Sequence, residues 1–216
     1  MKSSELKRSL LRQLDMRFGE LGFVRRSDRF LGNCYRRATA GGWRLVSPAI
    51  YNRTGAIELD SASVGLRLDA VEDSVNRFEE PPPVPLRPED LEARSTLGFR
   101  AEPKGLAAVF RKSWIIADDS AAIKAAAEFV PRVMSKAEPF WEQFSDPRAA
   151  LEMLSRDDEE SRSYGGPDHF RAEKAVALAL LLDGKDAAGK LAEQKKLTLR
   201  GDQLLAFTSW AERALV

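Results

Sequence analysis

Leucine and phenylalanine recur at helical spacing at the front of the chain, where Leu6, Leu10, Leu14, Phe18 and Leu21 alternate with Lys7, Arg8, Arg12 and Arg17. One side of such a helix is apolar and must be covered, and the other is solvated. Ser3 or Ser4 supplies an N-cap. Gly22 is the predicted stop, because a residue just past a helix end often needs positive φ and glycine adopts it without steric cost. Phe23 then folds back on the last turn, and the run Leu21 to Phe30 takes the chain from helix into strand.

Beyond that stop the pattern predicts strands at 23–30, 33–39 and 43–52, with Ala40-Gly41-Gly42 as the hairpin between the last two. Pro48 lacks a donor, so its strand is expected at a sheet edge or with a bulge. In the next strand, 56–68, Ile57 and Leu59 follow one alternation phase and Val64, Leu66 and Leu68 the other, which predicts a bulge near Ser61–Ser63. A short helix over 69–80 turns Val71, Val75 and Phe78 inward, and strands at 94–101 and 108–117 follow. Pro81 to Pro88 reads as a stiff connector. Its Pro82-x-x-Pro85-x-Arg87 spacing also matches ligands of aromatic polyproline grooves.

The rest is helical. One helix opens at Asp118 to Ser120 and turns Ile123, Ala127, Val130, Met134 and Ala137 inward, with a kink at Pro131 and a restart at Pro139. Asp146-Pro147 caps and starts the next. Residues 156–167, with four consecutive acids and Gly165-Gly166, form a predicted linker to three C-terminal helices. These are a helix capped by Asp168 and closed by Gly184, then helices over 186–196 and 200–214. The fold class is therefore α+β: an antiparallel sheet with N-terminal and central helices on one face, within residues 1–155, plus a C-terminal helical appendage, 168–216.

Composition narrows the function. Residues 1–53 hold 12 Lys/Arg against 4 Asp/Glu, while the remainder holds 22 against 29. Such asymmetry fits an anionic partner for the front half or attraction between the two halves of one fold. The cluster Arg25, Arg26, Arg29, Arg36 and Arg37 is the candidate binding surface, since paired guanidinium groups on neighbouring strands grip carboxylates or phosphates. The longest uncharged apolar run, Ala175 to Leu182, has 8 residues, short of the roughly 20 a membrane helix needs. Charges throughout Met1 to Phe18 leave no signal-peptide core.

A single cysteine, Cys34, excludes an internal disulfide framework and suits a reducing cytoplasm, and one cysteine with one histidine argues against a zinc site. No phosphate loop, nucleophile elbow or HExxH motif is present. No cofactor is implied. His169 reads as a polar surface position at a helix end, and Cys34 and the four tryptophans read as core.

Gly22-Phe23-x-Arg25-Arg26-x-x-x-Phe30 after an amphipathic helix, then a strand hairpin, and later Pro139-Phe140-Trp141-x-x-Phe144, resemble a bacterial family known as domain of unknown function number forty-three hundred and four. The likeness covers residues 5–155, departs in the third strand and excludes the helical tail. The family has no assigned catalytic residues, so none is carried over. The resemblance implies an α+β sheet domain with helices on one face and, by analogy with similar small domains, an immunity-like or other protein-binding role. The expectation is a cytoplasmic, non-enzymatic binding protein with a protein partner. Binding of a nucleic-acid phosphate backbone is the alternative, and an enzyme whose site is not readable from sequence is the second.

Overall fold

The structure, a computed structural model, describes residues 2–28, 32–79, 94–101 and 113–216. Helix α1, Ser3–Glu20, ends as the sequence predicts. Gly22 has φ of 79°, its N–H bonds back to Gly19 O at 2.9 Å, and the Phe23 N–H bonds to Phe18 O at 2.9 Å. This pair of bonds is a Schellman closure, and the rings of Phe18 and Phe23 meet edge-on at 5.7 Å. Leu6, Leu10, Leu14 and Phe18 are all buried, whereas Leu21 lies past the last turn and is exposed. The helix begins one residue earlier than a serine cap allows. Lys2 is the N-cap, and its N–H is taken by the Glu5 carboxylate at 2.9 Å.

Strands β1 (Val24–Asp28), β2 (Gly32–Thr39), β3 (Gly42–Arg53), β4 (Ala56–Leu68) and β5 (Leu97–Ala101) lie in that order in one antiparallel sheet, and β6 (Trp114–Ile116) pairs with the first part of β4. Strand β3 is interior, so the edge alternative for Pro48 fails. Along β4 the buried positions switch phase where the sequence places the change: Ile57, Leu59 and Ser61 are buried, then Ala62, Val64 and Leu66. The proline-rich run 81–88 and the first half of the 108–117 strand lie outside the described residues.

Helix α2 (Asp69–Phe78) follows β4 directly, and α3 (Asp119–Phe144) is one helix through both prolines. Pro131 and Pro139 are both exposed, so neither ring has to be packed within the core. Of the predicted inward positions Val130, Met134 and Ala137 are buried, together with Ala122, Ala125, Ala126, Phe129 and Val133, whereas Ile123 is 49% exposed and Ala127 half-buried. Phe129 meets the Trp114 ring edge-on at 5.6 Å. Glu138 of α3 accepts from Arg37 of β2 at 2.8 Å and from Arg44 of β3 at 2.9 Å.

Helices α4 (Pro147–Ser155), α5 (Glu159–Gly165), α6 (Asp168–Asp183), α7 (Lys185–Thr198) and α8 (Gly201–Ala214) complete the described chain. Asp146 caps α4 as expected, accepting from Arg148 N at 2.9 Å. The predicted linker 156–167 is instead mostly helix. Asp158 caps α5, and Asp157 takes the buried Lys195 ammonium at 2.7 Å and the buried Arg171 guanidinium at 3.1 Å. Pro167, not Asp168, is the cap of α6. Helix α6 is the centre of these helices, touching α2, α4, α5, α7 and α8 through Ala172, Ala175, Val176 and Ala179. An all-round apolar helix has to be covered on every side. No described helix is long and apolar enough to cross a membrane.

The described residues fall into two compact units that do not follow the predicted 155/168 boundary. One holds Met1–Thr39, Arg44–Val64 and Arg100–Phe140, and the other Ala40–Trp43, Gly65–Phe99 and Trp141–Val216.

Candidate functional site

Strands β1 and β2 pair with Val24 opposite Arg36, Arg25 opposite Tyr35 and Arg26 opposite Cys34. Opposed residues share a face and neighbours along a strand alternate, so Arg25, Tyr35 and Arg37 lie on one side and Arg26, Cys34 and Arg36 on the other. The first side faces α1 and α3. There the Tyr35 hydroxyl donates to Asp15 at 2.9 Å, and Arg25 pairs with the same carboxylate at 2.8 Å. Burial and that carboxylate push the Tyr35 pKa up. Arg37 donates to Leu21 O at 3.2 Å, pairs with Glu138 and lies 4.7 Å over the Phe23 ring.

Arg36 is only 2% exposed, and Arg26 is exposed. Arg29 lies outside the described residues. A docking surface for a protein or a phosphate backbone needs such groups side by side, and the register divides the four described arginines between two faces. Arg25 and Arg37 hold helices onto the sheet.

A different constellation forms in the second unit. A cleft of about 190 Å³ is lined by Glu79 after α2, by His169, Phe170 and Glu173 of α6, and by Ala206, Ser209, Trp210 and Arg213 of α8. Helix spacing assembles it: His169 and Glu173 are four apart, as are Ser209 and Arg213, so each helix turns a polar pair to one side. Helix α8 is fixed against α2 by two side-chain bonds to the main chain, Trp210 Nε1 to Val75 O at 3.2 Å and Arg213 Nε to Phe78 O at 2.9 Å. Arg213 Nη1 donates to Ser209 Oγ at 2.7 Å, and Glu79 is paired with Arg94 at 2.6 Å.

Two atoms of the cleft residues are buried and have no hydrogen-bond partner, His169 Nδ1 and Glu173 Oε2. Glu173 is only 4% exposed. Its burial and, next, the Glu79 charge push its pKa up to about 8, against the opposing pull of Lys174, Arg94 and Arg213. Burial pushes His169 the other way, below its ordinary value, although Asp168 and Glu79 oppose it. Near neutral pH the cleft therefore holds a neutral carboxylic acid and a neutral imidazole. Both are able to exchange hydrogen bonds with a guest, and neither has spent that capacity within the protein.

Neither Glu173 nor Arg213 stands out in the sequence, and His169 reads there as a surface residue. One signal was present: an acid sits at 173, beside the apolar run of a helix that has no solvent face to give it. Ser209 Oγ accepts from Arg213 Nη1, and no hydrogen bond joins it to His169 among the described residues. Cys34 is buried, as expected. Trp114, Trp141 and Trp210 are buried too, each with its N–H partnered, to Glu128 at 3.1 Å, Gly65 O at 2.8 Å and Val75 O at 3.2 Å respectively. Trp43 is half-buried. The chain matches no protein-family model, no curated protein and no solved structure.

Proposed function

We propose that the protein is a non-enzymatic binding protein and that the cleft between α2, α6 and α8 takes a small polar ligand. One observation carries this reading: Glu173 is buried at the cleft wall with Oε2 unpaired. A buried polar atom without a partner costs on the order of 1–3 kcal/mol, and such sites persist where something other than stability is served. The aromatic walls of Trp210 and Phe170 with a few converging polar groups are the usual make-up of a ligand site. At about 190 Å³ the cleft suits a compact guest.

The test is a thermal-melt screen with small amines, carboxylates, alcohols and phosphates, run on the wild type and on Ala206→Phe, which fills the cleft. A ligand at about 100 times its Kd adds roughly 2.7 kcal/mol, visible as a rise of several degrees in Tm. At least one class is expected to raise the wild-type Tm and leave the variant unchanged. Equal responses of the two proteins, or none in either, would remove the cleft as a binding site.

A further inference from the structure

We propose that the guest of this cleft is a primary ammonium ion, taken up in exchange for the proton of Glu173. The inference rests on the binding reading above and adds the ligand's chemistry. It begins from which atoms are left to be satisfied. With its proton on Nε2, His169 presents Nδ1 as an acceptor, and the Glu173 carboxylate presents Oε2 as another. Glu79, paired with Arg94, is the second carboxylate in the cleft lining. Arg213, the cation in that lining, already gives Nε to Phe78 O and Nη1 to Ser209 Oγ. What the cleft lacks is a compact cluster of donors, and an ammonium group brings three N–H bonds on one atom. The faces of Trp210 and Phe170 suit an alkyl stem beside a positive charge.

The proton balance follows from the surroundings of Glu173. The charged groups around it are Glu79 beyond α2, Arg94, Lys174 on its own helix and Arg213 from α8, with His169 one turn earlier. Burial and Glu79 favour its protonated form, so the empty cleft holds that proton near neutral pH. An entering ammonium pairs with the carboxylate in the place of the proton, giving Glu173 Oε2 a direct donor, which Arg94, Lys174 and Arg213 nearby do not supply. The proton leaves to solvent, and the total charge of the cleft with its guest is the same as before the exchange, apart from that released proton.

The experiment is calorimetric titration of the full chain with n-butylammonium, butyrate and n-butanol at pH 6.5, 7.5 and 9, in two buffers of different ionisation heat. The ammonium is expected to bind, with Kd falling about tenfold per pH unit below the Glu173 pKa and levelling above it. About one proton should be released per ammonium bound at pH 6.5. Glu173→Gln should lose both the pH slope and the proton release, and Ala206→Phe should lose binding. Binding of butyrate or n-butanol in place of the ammonium, abolished by Ala206→Phe, would overturn the ammonium assignment and leave the binding reading standing. Ammonium binding without a pH slope would overturn the proton exchange. If none of the three binds, the assignment falls, and the melt screen decides the binding reading separately.

Discussion

Gly22 and Gly42 are among the glycines whose positive φ no other residue takes up freely, and they differ in what surrounds them. At Gly22 the φ of 79° is the only obstacle, since a β-carbon there would meet Arg37 Cδ at an ordinary 3.7 Å. At Gly42 the φ is 154°, and a β-carbon would fall on the carbonyl oxygen of Arg67. The neighbouring Gly41 O also accepts the Asp69 N–H at 2.9 Å, so the backbone there is held and cannot retreat easily. Gly22→Ala is therefore expected to cost about 1 kcal/mol, and Gly22→Val somewhat more because its branched β-carbon tolerates positive φ less well. Gly42→Ala should cost on the order of 3 kcal/mol, because steric overlap adds to the conformational penalty. Urea unfolding of the variants measures both, and equal midpoints for Gly22→Ala and Gly42→Ala would contradict the distinction.

Among the elements, α3 is tied to two strands through one carboxylate. Glu138 pairs with Arg37 and Arg44, which are both about three-quarters shielded from solvent. Glu138→Ala removes the carboxylate that both guanidinium groups share, and a loss of about 1–2 kcal/mol is expected in the same unfolding measurement. Glu138→Asp should recover part of it only if the shorter side chain still reaches one arginine.

This level is also where reading from sequence succeeds and stops. The helix end at Gly22, the phase switch in β4 and the Asp146 cap were legible, because each is set by neighbours within a few residues. The first turn of α3 was not, since Ile123 outranks Ala122 in hydrophobicity, yet Ala122 is the buried one and Ile123 is 49% exposed. The acids at 157–160 read as a solvated loop because the cations that claim Asp157, Arg171 and Lys195, come from later in the chain. The arginines were legible as a run but not as a surface, because adjacency along strands is not adjacency on a face, and the register divides the four described ones between two faces. The cleft needs Glu79, Glu173 and Arg213 from three separated stretches, and no spacing rule joins them.

For the molecule as a whole, Glu173 makes stability depend on pH in an unusual direction for a carboxyl group. Its pKa is about 8 in the fold and near 4.5 when unfolded, so the folded form binds the proton more tightly. That contribution is fully present below about 4.5, declines as pH rises, and is gone above about 8. Relative to the wild type, Glu173→Gln is expected to be more stable at pH 9 than at pH 6, by a margin on the order of a few kcal/mol between the two conditions. Taking the difference between the two proteins at each pH cancels the titration of groups that Glu173 does not touch. A constant difference across that range would show that the carboxyl is not held neutral by the fold.

The division of the chain also bears on the order in which a ribosome delivers it. Each unit is assembled from three separated stretches, the first closing with residues up to Phe140 and the second waiting for Trp141–Val216. During synthesis β3 and β4 emerge long before the helices of the second unit exist, and the start of β3 and the end of β4 belong to that unit. The nascent chain therefore carries apolar strand surface such as Leu66 for most of its elongation, which exposes that strand to aggregation until the second unit is complete.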